Sequence, residues 1–227
     1  MTLSALIFDV DGTLAETEEA HRAAFNESFA RWGLDWHWTQ DTYRQLLKTT
    51  GGKERIAVWQ AGAPRLSPDE IAQLHREKTA LYAEKLNDLV LRPGVRDLIS
   101  DARAAGLKLA VATTTNRPNV EALAQACWGK TADAIFDVIA AGDEVAAKKP
   151  APDVFQLALK RLNLKAEQCL AFEDSLNGLK SAKAAGLRVL MTASAYTDDE
   201  DHSTADWECP SLRFQCLPTL LKDALTP

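Results

Sequence analysis

ALIFDVDGTLAET, residues 5–17, decides the fold: an apolar run, Leu6, Ile7, Phe8 and Val10, is cut off by two carboxylates, a glycine and a threonine. Such a run is what a strand buried in a parallel sheet shows, and Gly12 supplies the turn that ends it. Asp9 and Asp11 therefore belong to a strand's carboxyl end, which in open α/β sheets faces the ligand crevice. Taken alone, Asp11 with Gly12 is an ordinary Asp-Gly turn and Asp9 a solvated loop acid. The rest of the chain decides between the two readings.

Downstream of Leu14 the period changes. Ala20, Ala23, Ala24, Phe25, Phe29 and Trp32 recur at helical spacing up to Gly33, and a second helix is expected from about Thr39 to Leu47. KTTGGKER reads as a polar link into a third helix through Ile56, Val58 and Trp59, with Lys53 and Arg55 equally readable as that helix's exposed start. Ser67-Pro68-Asp69-Glu70 opens a fourth, with Ser as N-cap, Pro at the first helical position and Glu three after the cap. Residues 16–92 are thus predicted to form an all-helical cap domain inserted after the first strand. Residues 1–15 and 93–227 are predicted to form the catalytic α/β core.

After Pro93-Gly94 strands and helices alternate. Strands are predicted at Leu107–Ala112, at or near Ile135–Ala141, at Cys169–Phe172 and at Val189–Met191, with helices between them. That order gives a doubly wound parallel sheet. TDDEDHSTAD reads as a solvated acidic loop, and Trp207 to Pro218 as an edge strand and turn.

A 227-residue chain that is 46% hydrophobic suffices for one α/β core and a smaller appendage. A net charge of -6 argues against a nucleic-acid surface, so an anionic substrate has to be met by local cations. The four cysteines have no C-x-x-C spacing, and no 18-residue apolar span occurs. A cytoplasmic protein, not bound to a membrane and acting as a monomer, is the expectation.

Three later sites lie where a predicted strand runs out: Thr113, Lys149, and Glu173 with Asp174. Singly these are a helix cap, a surface lysine and acids at a helix N-terminus. Together they place a hydroxyl, a cation and two acids at one crevice. A phosphate monoester is close to a dianion, and a carboxylate about 4 Å from a single negative charge is repelled by roughly 4 kcal/mol at an effective dielectric near 20. Attack on it needs countercharge. A Mg²⁺ on oxygen ligands would supply it: Asp9, the Asp11 carbonyl and Asp174 are the candidates, with Glu173 as ligand or support, while Lys149 and Thr113 would serve the transferring group.

The order Asp-x-Asp-Gly-Thr, Thr, Lys, Glu-Asp resembles the four motifs of the haloacid dehalogenase-like (HAD) superfamily. The helical insertion resembles that of its β-phosphoglucomutase group. AETEEAH, TTGGKERI, VATTTN and EDSLNGLKSAKAAG look closest to the CbbY-type phosphatases, which dephosphorylate xylulose-1,5-bisphosphate, an inhibitor of Rubisco in carbon fixation. By that resemblance Asp9 is the nucleophile that becomes an aspartyl-phosphate, and Asp11 protonates the leaving oxygen and then deprotonates water. A phosphomutase would share the nucleophile and pass the phosphoryl group to a sugar; a phospho-accepting receiver domain would not turn over.

A sugar bisphosphate needs a second anion site. Lys53 in the Gly51-Gly52 loop, with Thr114, Thr115, Asn116 and Arg117 after the second motif, is the candidate clamp. Glu18 and His21, one helical turn apart, face the same space, and Glu18 and Tyr43 are candidates to accept hydrogen bonds from sugar hydroxyls. His21 reads as structural more readily than as a proton carrier. Lys78 reads as a solvated stem.

Overall fold

The structure, a computed structural model, describes residues 3–86 and 89–226. Six strands, β1 (Ala5–Phe8), β2 (Lys108–Ala112), β3 (Val138–Ala140), β4 (Cys169–Glu173), β5 (Arg188–Met191) and β6 (Trp207–Glu208), form one sheet. Its order is β3-β2-β1-β4-β5-β6 and every adjacent pair is parallel. β1 lies centrally, and all four of its residues are buried.

Alternation along the strands divides the core into two faces. Leu6 and Phe8, with Leu109, Val111, Leu170 and Phe172, pack against α5 (Val95–Ala104), α6 (Arg117–Trp128) and α9 (Thr219–Leu225). Ala5 and Ile7, with Ala110, Ala171 and Val189, pack against α7 (Asp153–Leu162) and α8 (Leu176–Ala184). Both faces being covered is why β1 reads as a continuous apolar run.

Between β1 and β2 the chain forms α1 (Glu18–Arg31), α2 (Gln40–Leu47), α3 (Gly52–Trp59) and α4 (Pro68–Glu84). These helices have an aromatic core of their own: Trp38 is fully buried, 4.7 Å from Phe25 and 4.9 Å from Phe29 between ring centroids. Ser67 caps α4 with both halves of a capping box formed. The segments leading into and out of the helices run side by side, Ala15 bridging Leu91 antiparallel. Arg92 then rivets the junction: its N–H donates to the Leu14 carbonyl at 2.8 Å, and its guanidinium to the carbonyls of Gly12, Thr192 and Ala193.

Four local expectations differ from what is found. α3 already starts at Gly52, so the link is shorter than KTTGGKER and the helix-start reading of Lys53 and Arg55 holds; Gly51, at φ 99°, makes the turn that β-carbon-bearing residues resist. The strand expected at Ile135–Ala141 is only Val138–Ala140. The tail adds the two-residue β6, but then a helix, α9, whose Leu221 is buried in the sheet's core. The acidic loop is not simply solvated: Asp198 and Asp199 both accept from Arg44 of α2, at 2.8 and 3.1 Å. Among the described residues no helix is long and apolar enough to cross a membrane.

Candidate active site

Strand register brings the acids together. Phe8 is level with Val111 on one side and with Phe172 on the other, so Asp9, one residue on, faces Glu173 across the ladder. The Asp9 N–H donates to the Phe172 carbonyl at 3.0 Å, fixing that level. Asp174 follows at once, and one carboxylate oxygen each from Asp9, Glu173 and Asp174 lie within 4.8 Å of one another, all three residues being buried. Two glycines make the close approach possible. A β-carbon on Gly12, already at φ 84°, would stand 2.1 Å from Asp174 Oδ2, and one on Gly178 of α8 would stand 1.9 Å from Glu173 Oε2.

Lys149 lies at the centre of this cluster, its Nζ 2.5 Å from Asp9 Oδ1 and 2.5 Å from Glu173 Oε1. Burial alone would drive the ammonium to lose its proton, but the two carboxylates outweigh that and hold its pKa above the ordinary lysine value. Asp9 is pushed well above the usual carboxylate range by burial, with Lys149 opposing and Glu173 and Asp11 adding to the rise. Asp174 is raised by burial and then by Asp9 and Glu173. Three buried carboxylates against one ammonium make a site short of positive charge, built only from hard oxygen donors. That donor set suits a divalent cation such as Mg²⁺.

Asp11 has a different environment. Its Oδ1 accepts from Thr17 Oγ1 at 2.5 Å and from His21 Nε2 at 3.0 Å, and His21 Nδ1 is 2.6 Å from Lys78 Nζ. With Nε2 donating to Asp11, Nδ1 accepts from the lysine, which makes His21 the neutral tautomer. Burial pushes Asp11 up, yet His21, Thr17 and Lys78 together hold it down at about 2. Burial and then the Lys78 charge lower His21, and burial lowers Lys78 to about 7, against the pull of Asp11.

Lys78 is therefore not the solvated stem expected of it. It is 3% exposed, its ammonium 4.6 Å from the Phe25 ring centroid and 5.2 Å from that of Tyr82. The helical spacing held the signal: Leu74, Lys78, Leu81 and Tyr82 share the buried stripe of α4.

A cavity of about 570 Å³ separates the sheet rim from the helices. Asp9, Asp11, Glu18, His21, Lys149 and Asp174 line it, as do Gly51, Gly52 and Lys53 of the α3 start and Thr114, Thr115 and Asn116 after β2. Glu173 lies beneath the surface, fully buried, as does Thr113, whose hydroxyl accepts from the Thr115 N–H at 3.2 Å. Two expected substrate contacts are not brought to the cavity. Tyr43 is fully buried, donating its hydroxyl to Glu18 at 2.8 Å and accepting from Arg55 at 3.1 Å, so it orients Glu18 from behind. Arg117 is bound to Asp133 at 2.6 Å and is absent from the lining, because it opens α6 on the side facing the Ala132–Ala134 turn. Lys148 was not foreseen: it lines the cavity next to Lys149 and pairs with Glu54 of α3 at 2.8 Å.

Comparison with known proteins gives a consistent picture. The protein CbbY of Rhodobacter capsulatus is 58% identical over 226 residues, 97% of this chain and 100% of the relative. CbbY from Rhodobacter sphaeroides in complex with phosphate superposes with a TM-score of 0.91 at 52% identity, over 93% of this chain and 96% of that one. A mutant of the same enzyme in complex with xylulose-(1,5)bisphosphate gives 0.90 at 52% identity, over the same shares. The haloacid dehalogenase-like hydrolase family model matches residues 3–186, which contain Asp9, Asp11, Thr113, Lys149, Glu173 and Asp174. The chain belongs to the haloacid dehalogenase-like hydrolases.

Proposed function

We propose that the protein is a Mg²⁺-dependent phosphatase for a small phosphorylated sugar, with xylulose-1,5-bisphosphate as the leading candidate. The observation that carries this reading is the placement of Lys149 at 2.5 Å from Asp9 beside two further buried acids. A cation and a nucleophile held together, with a vacancy of charge around them, suit phosphoryl transfer. The substrate is suggested by the relative from Rhodobacter sphaeroides, whose mutant is seen with that bisphosphate.

Asp9, Glu173 and Asp174, with the Asp11 backbone carbonyl, would hold the ion, which when bound neutralises charge on the phosphoryl oxygens. The Asp9 carboxylate attacks phosphorus while the bond to the sugar oxygen breaks, giving an aspartyl-phosphate. The departing oxygen takes a proton from Asp11. Water then attacks the phosphorus, Asp11 takes the water's proton, and the acyl phosphate bond breaks to return Asp9 and release inorganic phosphate. Lys149 stays protonated throughout, as its raised pKa favours.

Asp11, held at about 2, needs a proton source before it can act as an acid. Lys78, at about 7, is connected to it through the two ring nitrogens of His21. Because Asp11 is the weaker base, the proton would move only in concert with the departing oxygen: from Lys78 to His21 Nδ1, from Nε2 to Asp11, and from Asp11 to that oxygen. α1 to α4 serve as the cap in this reading, excluding water while Lys53 takes the distal phosphate.

Phosphate release from xylulose-1,5-bisphosphate and from a panel of sugar monophosphates, with and without a chelator, tests the proposal. Sustained, chelator-sensitive release over many turnovers is expected, led by the bisphosphate. A single phosphoryl group retained per chain would favour the receiver reading, and an isomerised sugar phosphate without free phosphate the mutase.

A further inference from the structure

The loop between β5 and β6 touches both the helical insertion and the acid cluster, through consecutive residues. Tyr196 leaves the sheet domain and inserts into the aromatic core of the insertion: it is 9% exposed, edge-on to Tyr43 at 5.9 Å between centroids. The Arg44 guanidinium lies 5.6 Å above its ring, and its hydroxyl donates to Glu19 of α1. Thr197, the next residue, turns the other way and donates its hydroxyl to Asp174 Oδ2 at 3.2 Å.

Ser194 holds the Thr197 hydroxyl at that position. Thr197 Oγ1 accepts from the Ser194 N–H at 2.9 Å and lies 3.0 Å from Ser194 Oγ, which in turn accepts from the Tyr196 N–H at 3.3 Å. A carboxylate only accepts, so Thr197 gives its hydroxyl hydrogen to Asp174, and Ser194, which donates its N–H to Thr197, also sets its own hydroxyl against Asp174. Burial of the chain makes each bond depend on the next. Three residues on, Glu200 accepts from the Leu176 N–H at 2.6 Å, holding the start of the helix that follows Asp174. One short loop thus fixes the position of Asp174 from two sides while its aromatic side chain is seated in the insertion.

We propose that Thr197 is a positioning residue for Asp174, and that the seat of Tyr196 in the helical insertion is thermodynamically linked to divalent-cation binding at the acid cluster. This rests on the reading of Asp174 as a cation ligand. Linkage is reciprocal: withdrawing Tyr196 from its seat weakens the ion, and binding the ion tightens the seat.

Calorimetric titration of Mg²⁺ into the full-length protein, without substrate, tests this. Thr197→Val should weaken binding and Thr197→Ser restore it. Tyr196→Ala, and Arg44→Ala on the opposite side of the contact, should each weaken it by about fivefold or more, the lower end of typical coupling between sites. Arg44→Ala leaves the loop sequence intact, so it decides the question should Tyr196→Ala not fold. Unchanged Mg²⁺ affinity in Arg44→Ala and in any folded Tyr196→Ala overturns the linkage, and equal losses in Thr197→Val and Thr197→Ser overturn the positioning role. Asp174→Asn separates the two layers of argument: absent binding in the unaltered protein, or undiminished binding in Asp174→Asn, would remove the cation reading itself and the linkage with it.

Discussion

The ammonium of Lys149 lies 2.5 Å from Asp9 Oδ1, with only 4% of the lysine exposed. A buried ion pair that loses one partner leaves the other uncompensated, at a cost of about 3–5 kcal/mol. Lys149→Met is therefore expected to abolish turnover and lower the melting temperature. Added Mg²⁺ should raise the melting temperature of that variant more than that of the unaltered protein, since it replaces the missing charge. Thermal melts with and without the ion check this.

Asp9→Asn removes the nucleophile and one of the three crowded acids. The amide keeps the shape, so the fold should persist with unchanged or higher stability while phosphate release disappears. Normal release from this variant would contradict the assignment of Asp9.

Gly12→Ala places a β-carbon 2.1 Å from Asp174 Oδ2, at a backbone φ of 84° that side chains resist. Asp174 has to move. We expect loss of most activity together with weaker Mg²⁺ binding, and destabilisation of about 1–3 kcal/mol in a denaturant titration.

Lys78 has its pKa lowered from 10.5 to about 7, so between those values the unfolded chain holds a proton that the folded one gives up. Stability attributable to this group rises with pH through that window, and its cost is fully present below about 7. Lys78→Met should accordingly gain most in stability over the unaltered protein at pH 7 and below, a difference that shrinks towards pH 10.5. Its kcat should fall by part of the roughly 10²–10⁴ that a positioned acid–base group contributes, and the pH–rate profile should lose its limb near 7. Melts and kinetics across pH check both.

Arg117 is held by Asp133 away from the cavity, whereas Lys53 lines it. Lys53→Ala should raise KM for a sugar bisphosphate by roughly tenfold or more, since a charge-assisted hydrogen bond is worth about 1.5–3 kcal/mol. Monophosphates should be affected less. Arg117→Ala should change neither, which steady-state kinetics on paired substrates would reveal.

The residues at the sheet rim were legible because the local pattern and the chemistry coincide: an apolar run ends, and a carboxylate or hydroxyl follows. Asp9, Asp11, Thr113 and Asp174 all announce themselves in this way. Contrary to expectation, Lys149 does not stand where β3 runs out but well beyond Ala140, and only the motif order pointed to it. Side chains whose position depends on packing between distant elements were less legible. Lys78 faces His21 across 57 residues of chain, and Thr197 reaches Asp174 from a loop whose composition suggested nothing but solvent. Arg117 failed for a different reason: its sequence neighbours enter the cavity, but helix geometry turns the first residue of α6 towards Asp133.

Because Ala15 and Leu91 pair as antiparallel neighbours, the whole stretch between them hangs from the sheet like a bead on a pinched thread. A two-residue Asn-Gly hairpin turn has the reach to join those partners directly. Excising the bead is therefore expected to keep the strand order, but it takes away Thr17, His21 and Lys78 behind Asp11 and the seat of Tyr196, so a foreign bead grafted at the same knot has to bring its own support for that acid.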